Sequence, residues 1–195
     1  CSINGTSKIS ARGHIGAGGG SINLKCNTIG GDATEEVFNL DGGAAQYYGY
    51  HSPSRLNRNT AGGGGGCLKL EAANGFAGEF ILPTNSSELS SFKNLWSAKG
   101  GAGAVGTSGP PYFGGGGAGT LFVVDSSDFN KSSGMLFSYN RTNILSKFDH
   151  RLYHGTTPID VSDNDISNYA LDLGDGAVIS IIGDNDYCAT TSARG

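Results

Sequence analysis

Glycine sets the terms for this chain. It supplies 34 of the 195 residues, and much of it stands in blocks at residues 16–20, 62–66 and 114–119. The last block closes a glycine-rich stretch over 100–119 that carries Pro110-Pro111-Tyr112-Phe113 in its middle. Glycine gives up more backbone freedom on ordering than any other residue. A chain this rich in it needs covalent or quaternary support to hold a fold. A glycine-rich phosphate cradle needs a strand before the block, a helix start after it, and Lys-Ser/Thr or a ribose-binding acid. None of the three blocks has that context: each is followed by a strand-like run, Ser21-Ile-Asn-Leu, Cys67-Leu-Lys-Leu or Leu121-Phe-Val-Val. Two readings stay open: polyglycine helices packed side by side, and surface loops in which only glycine lets backbones approach.

Hydrophobic residues make up 37% of the chain and charged residues 15%, below the usual quarter or so for charge. The net charge is −4 with no basic cluster, so nucleic acid is not an expected partner. No apolar run is long enough to span a membrane. With so modest a core, the four cysteines matter: Cys1, Cys26, Cys67 and Cys188. None forms a CxxC pair, which argues against a zinc ribbon or a thioredoxin-type site. An even, widely spaced set suggests two disulfides and an extracellular, oxidising location. Four cysteines allow three connectivities. The expected pairs are Cys1–Cys26, which closes a local loop, and Cys67–Cys188, which ties the last strand to the sheet. Buried free thiols, and a lipid thioether at Cys1, are the alternatives.

Periodicity gives the local elements. Strands are expected over 21–25, 67–71, 76–82, 120–124, 135–139 and 177–182 from alternation or β-branched runs. Asn74-Gly75 predicts a hairpin between the second and third of these. Capping-box spacings at Asp32/Glu35, Asn85/Glu88 and Ser162/Asp165 predict helices over 33–41 and 86–98, and one from Asp163 broken by Gly174 and Gly176.

Little in the chain speaks for catalysis, so it is read as a non-enzyme. His150 and His154, with Asp149, have helical spacing for a metal but lack a third ligand, and exposed histidines account for them as well. Asp163, Asp165, Asp172 and Asp175 crowd one turn-and-break, and with loop carbonyls could hold calcium. Asp163 and Asp165 would also suit the first turn of a helix without any metal. Asn168 and Gly174 occupy the positions where an EF-hand needs glycine and glutamate, so an EF-hand is excluded. The sequons at Asn4, Asn85, Asn130 and Asn140 permit glycosylation. Tyr47, Tyr48 and Tyr50 could stack on glycans or form an edge strand.

The C-terminal block, with Ser162, Asn168, Asp175-Gly176, Val178-Ile179 and Cys188, resembles the end of type IV pilin-like proteins and pseudopilins. Lys25-Cys26-Asn27 leading into Glu35-Glu36-Val37-Phe38, Phe80-Ile-Leu-Pro83 and Leu95-Trp96-Ser97 are similar to other parts of that group. The apolar N-terminal helix of the family is absent, so the resemblance implies a head domain or processed form. It also raises the case for calcium, which some pseudopilins bind near their C-terminus. The expected fold is a single α+β domain over 1–195: an antiparallel sheet, two or three short helices and long glycine-rich loops, stapled by disulfides. The expected function is a cell-surface filament subunit that polymerises with copies of itself, with Tyr112 and Phe113 anchoring the contact through the 100–119 loop. The alternative is a glycan-binding, glycine-rich adhesin, since the glycine blocks also resemble the glycine-rich tips of some phage adhesins.

Overall fold

The computed structural model describes residues 1–45, 62–103, 115–128, 134–139, 157–160, 170–174, 177 and 179–182. Its first nine strands come in three passes of three. The first pass is β1 (Ser2–Ile3), β2 (Ile9–Ser10) and β3 (Ser21–Cys26). The second is β4 (Ile29–Gly31), β5 (Phe38–Asn39) and β6 (Cys67–Ala72). The third is β7 (Phe76–Gly78), β8 (Trp96–Ser97) and β9 (Thr120–Asp125). Each strand lies parallel to its counterpart in the previous pass, in the orders β1-β4-β7, β2-β5-β8 and β3-β6-β9. The chain is therefore a three-turn parallel β-solenoid, in which each pass buries its apolar side against the next.

The stacking follows from the sequence once the passes are aligned. Ile22, Leu68 and Leu121 stand in one column, and Leu24, Leu70 and Val123 in the next. Period-two alternation in each strand points these residues inward. Ile9, Phe38 and Trp96 form a third column. The middle and last passes bury theirs almost fully: Leu68, Leu70, Leu121, Val123 and Phe38 are each at most 2% exposed.

The third pass is closed by added elements. Helix α1 (Ser86–Lys93) is inserted between β7 and β8, and β10 (Met135–Tyr139) pairs antiparallel with β9. Phe92 of α1 meets Phe137 of β10 with ring centres 5.5 Å apart, and Trp96 meets Tyr139 at 5.9 Å. The Lys93 ammonium sits 3.7 Å over the Tyr139 ring. β12 (Ala170–Gly174) adds parallel to β10, while β11 (Thr157–Asp160) and β13 (Ile179–Ile182) form a separate parallel pair.

This corrects the α+β expectation. The described chain is dominated by strands, holds one helix, and pairs its strands in parallel except at β9–β10. The helix expected over 33–41 is replaced by extended chain and β5. Val37, Phe38 and Leu40 are buried there, but as solenoid wall, because Ile9 and Trp96 stand beside Phe38 in register. Glu35 faces Lys8 at 3.7 Å instead of closing a capping box. The hairpin at Asn74-Gly75 is a solenoid corner. Gly75 takes φ 89°, Asn74 N donates to Asn27 O at 2.6 Å, and Gly75 O accepts from Ile29 N at 3.3 Å. The chain thus turns onto the preceding corner rather than back along β6, and β7 is shorter than the strand expected over 76–82. The helix at 86–98 forms but stops at Lys93, leaving Trp96 to β8. Of the helix begun at Asp163, residues 161–169 lie outside the described residues, and its far end is strand β12.

Candidate functional site

Between the second and third strand of every pass the chain leaves the solenoid and returns. The outbound stretches are residues 11–15, 40–45 and 98–103, and the inbound ones 16–20, 62–66 and 115–119. Backbone hydrogen bonds join these stretches to one another. In stretch 62–66, Gly63 N donates to Gly43 O at 2.9 Å, Gly65 N to Gly117 O at 2.9 Å and Gly66 N to Leu40 O at 2.8 Å. The same stretch accepts from Gly101 N on Gly63 O at 2.7 Å and from Gly19 N on Gly64 O at 2.8 Å. Its partners thus lie in four other stretches, whereas a strand in a sheet has at most two neighbours. Bonds leaving one extended chain in several directions are what polyproline-II-type helices make when packed together, since they form no internal hydrogen bonds.

At several positions the packing leaves no room for a side chain. A Cβ on Gly63 would overlap the carbonyl oxygen of Ala17, one on Gly65 that of Ala98, one on Gly101 that of Gly43, and one on Gly116 that of Gly63. None of these four has positive φ. At these four positions space, not backbone conformation, makes glycine necessary. Of the readings left open by the sequence, packed polyglycine chains describe the blocks, and the described ends of the expected 100–119 loop belong to this bundle. Its base is tied to the protein by side chains. Ser138 Oγ donates to Gly119 O at 2.9 Å, and Thr157 Oγ1 donates to Ala118 O. Buried Asp41 accepts from Ser97 Oγ at 2.5 Å and Lys99 N at 3.1 Å, with the Lys99 ammonium 3.5 Å away.

The far end of the bundle brings chain ends together. His14–Gly16 turns there, with Ala17 N donating to His14 O at 2.7 Å and Gly16 N to Ala44 O at 3.0 Å. Ala45 N donates to Ala102 O at 2.8 Å. Gly62 lies against Gly101 and Ala102, and Gly115 beside Gly101 and Gly103. Segments 46–61 and 104–114 therefore both leave from and return to this one end.

The residues singled out in the sequence fare as follows. Cys1 and Cys26 form the expected disulfide, with Cα atoms 5.8 Å apart, and the Cys1 ammonium donates to Thr28 O at 2.6 Å. Cys67, the described half of the other expected pair, is exposed and its Sγ accepts from Thr120 Oγ1 at 3.5 Å. Cys188 lies outside the described residues. Asp172 sits within strand β12 opposite Phe137, not at the end of a helix. Asp163, Asp165 and Asp175 lie outside the described residues, among which no three His, Cys, Asp or Glu side chains converge. Asn4 is exposed, and so is Asn85, whose Oδ1 caps α1 by accepting from Ser87 N and Glu88 N. Asn130, Asn140, Tyr47, Tyr48, Tyr50, Tyr112, Phe113, Asp149, His150 and His154 lie outside the described residues.

The first two passes also carry a charged cluster. Glu71 lies 2.5 Å from the Lys25 ammonium and 3.3 Å from that of Lys69. These hydrogen bonds, Lys25 first, hold its carboxyl below the ordinary glutamate range. Beside it an open recess of about 500 Å³ is lined by Cys1, Cys26, Lys25, Glu71 and Ser126 among others. Within it Lys25 and Glu71 pair with each other, and the Cys1 ammonium is engaged by Thr28 O.

Sequence reasoning missed the threefold repeat. Its signal was an aliphatic-x-aliphatic strand beginning directly after Gly20, Gly66 and Gly119. The chain matches no family model, no curated protein and no solved structure.

Proposed function

We propose that the protein is an extracellular recognition module that uses its polyglycine bundle as a stiff mount for two inserted segments. The carrying observation is the juncture at the far end of the bundle, where Ala45 is hydrogen-bonded to Ala102 and both segments are tethered. The first segment holds Tyr47, Tyr48, Tyr50 and His51, and the second Pro110-Pro111-Tyr112-Phe113. Tyrosine offers large contact area with a polar tip at low entropic cost, which suits recognition surfaces and stacking on sugars. The Cys1–Cys26 disulfide is in keeping with an oxidising compartment. Glycans are the proposed ligand class. The filament reading drew on the pilin-like resemblance and on a low-charge, glycine-rich surface; the α+β head it assumed is replaced by the solenoid.

A glycan array probed with the wild-type protein and with a Tyr47→Ser/Tyr48→Ser/Tyr50→Ser variant tests the proposal. Binding by the wild type, lost in the variant with an unchanged melting temperature, is the expected result. A wild-type protein that binds no glycan and forms regular fibres under negative-stain microscopy would overturn it in favour of a self-assembling subunit.

A further inference from the structure

Asn74-Gly75 forms the corner at which the chain passes from the second solenoid pass to the third. The fold fixes Gly75 as glycine: it takes φ 89°, and a Cβ there would lie 2.7 Å from Ser127 Oγ. The equivalent corners in register are Asn27-Thr28 and Ser126-Ser127, and neither contains glycine.

The corner is held from both sides, and its middle is left free. Asn74 N donates to Asn27 O at 2.6 Å, and Gly75 O accepts from Ile29 N at 3.3 Å. Among the described residues, neither the Gly75 N–H nor the Asn74 carboxamide has a hydrogen-bond partner, and Asn74 is exposed. A glycine after asparagine presents its amide nitrogen to the carboxamide with no Cβ to hinder ring closure.

We propose that Asn74 cyclises spontaneously in the folded protein and is converted to aspartate and isoaspartate. Hydroxide takes the proton of the Gly75 amide, and the nitrogen attacks Asn74 Cγ. The N–Cγ bond forms, the Cγ–Nδ2 bond breaks, and ammonia leaves with a proton from water. Water then adds to either carbonyl of the five-membered imide. Opening at Cγ yields aspartate with the backbone unchanged. Opening at the main-chain carbonyl yields isoaspartate, which lengthens the backbone by one methylene. That methylene falls between Asn74 N and Gly75 O, the two groups bonded to the preceding corner. Both bonds cannot keep their spacing, so the corner loosens. Asn4-Gly5, the chain's other Asn-Gly, lies in a turn closed on itself, with Ser7 N donating to Asn4 O at 2.8 Å.

Peptide mapping of the folded protein aged in mildly alkaline buffer tests this, beside a synthetic peptide spanning residues 71–81. Conversion at Asn74 is expected within about tenfold of the peptide's rate, whereas a site reached only through global unfolding would be slower by about 10³-fold or more. Asn27, which precedes β-branched Thr28, should convert at least about tenfold more slowly than Asn74. Asn74→Ser should abolish the conversion and leave the melting temperature unchanged, since serine also suits a turn. In the isoaspartate fraction the Ile29 amide should exchange at least about tenfold faster than in fresh protein. An Asn74 that survives while the peptide converts would overturn the proposal. So would equal conversion at Asn27, or an Ile29 amide unchanged in protein that carries isoaspartate.

Discussion

At the scale of single residues, glycines that look alike in the sequence have unlike roles. Gly63 and Gly64 are neighbours in a run of five. A Cβ on Gly63 would overlap Ala17 O, whereas the nearest atom to a Cβ on Gly64 is Gly117 O at 3.8 Å. Backbone cannot rotate aside as a side chain can. Gly63→Ala is therefore expected to lower stability by about 3 kcal/mol. Gly64→Ala should be neutral or stabilise by up to about 1 kcal/mol through the unfolded chain. Urea midpoints of the two variants check this, and equal losses would contradict the bundle. Glu71 gives a second residue-scale prediction. Its carboxyl is held low by Lys25 and Lys69, so its contribution is complete above the ordinary glutamate value of 4.5 and fades as pH falls through the lowered folded value. Glu71→Gln should flatten the acid limb of a stability-against-pH curve and leave the neutral region less affected; an unchanged acid limb would refute that linkage. None of this was legible in a run of identical letters, because what separates Gly63 from Gly64 is which neighbouring carbonyl each one faces.

At the scale of elements, local signals succeeded where the element answers to its own residues. Asn85 caps α1, and Glu88 accepts from Thr84 N and Oγ1 at 2.8 Å each, so the spacing read from the sequence found a real helix start. Asn85→Ala is expected to cost about 1 kcal/mol, and Phe92→Ala about 3–5 kcal/mol because it opens the cover over the third pass. Equilibrium unfolding of both variants measures the difference, and a cap variant costlier than Phe92→Ala would contradict the assigned roles. β3, β6, β9 and β10 were likewise visible from alternation. The same spacing at Asp32 and Glu35 misled, because Phe38 is held extended between Ile9 and Trp96 by contacts distant in sequence.

At the scale of the whole molecule, the topology was hidden by unequal passes. Segment 46–61, the insert containing α1 and segment 104–114 push equivalent strands apart by different amounts, so no constant period marks the repeat. The half-buried Ile22 and Leu24 acquire meaning only once their columns are known. The Cys1–Cys26 bridge fastens the start of β1 to the end of β3 within the first pass. Its removal by Cys26→Ser is expected to cost roughly 2–4 kcal/mol, and non-reducing peptide mapping should find Cys1 joined to Cys26. Cys1 recovered joined to Cys67 or Cys188 would contradict the structure. The glycine blocks form a hydrogen-bonded bundle rather than loops. The most direct test is residue-resolved amide exchange by NMR at Gly63, Gly65, Gly66, Gly101, Gly116 and Gly119, each of which donates to a specific carbonyl in another stretch. Slow exchange at all six, comparable to Leu68 and Leu70 in β6, is the expected result. Exchange at free-peptide rates would contradict it.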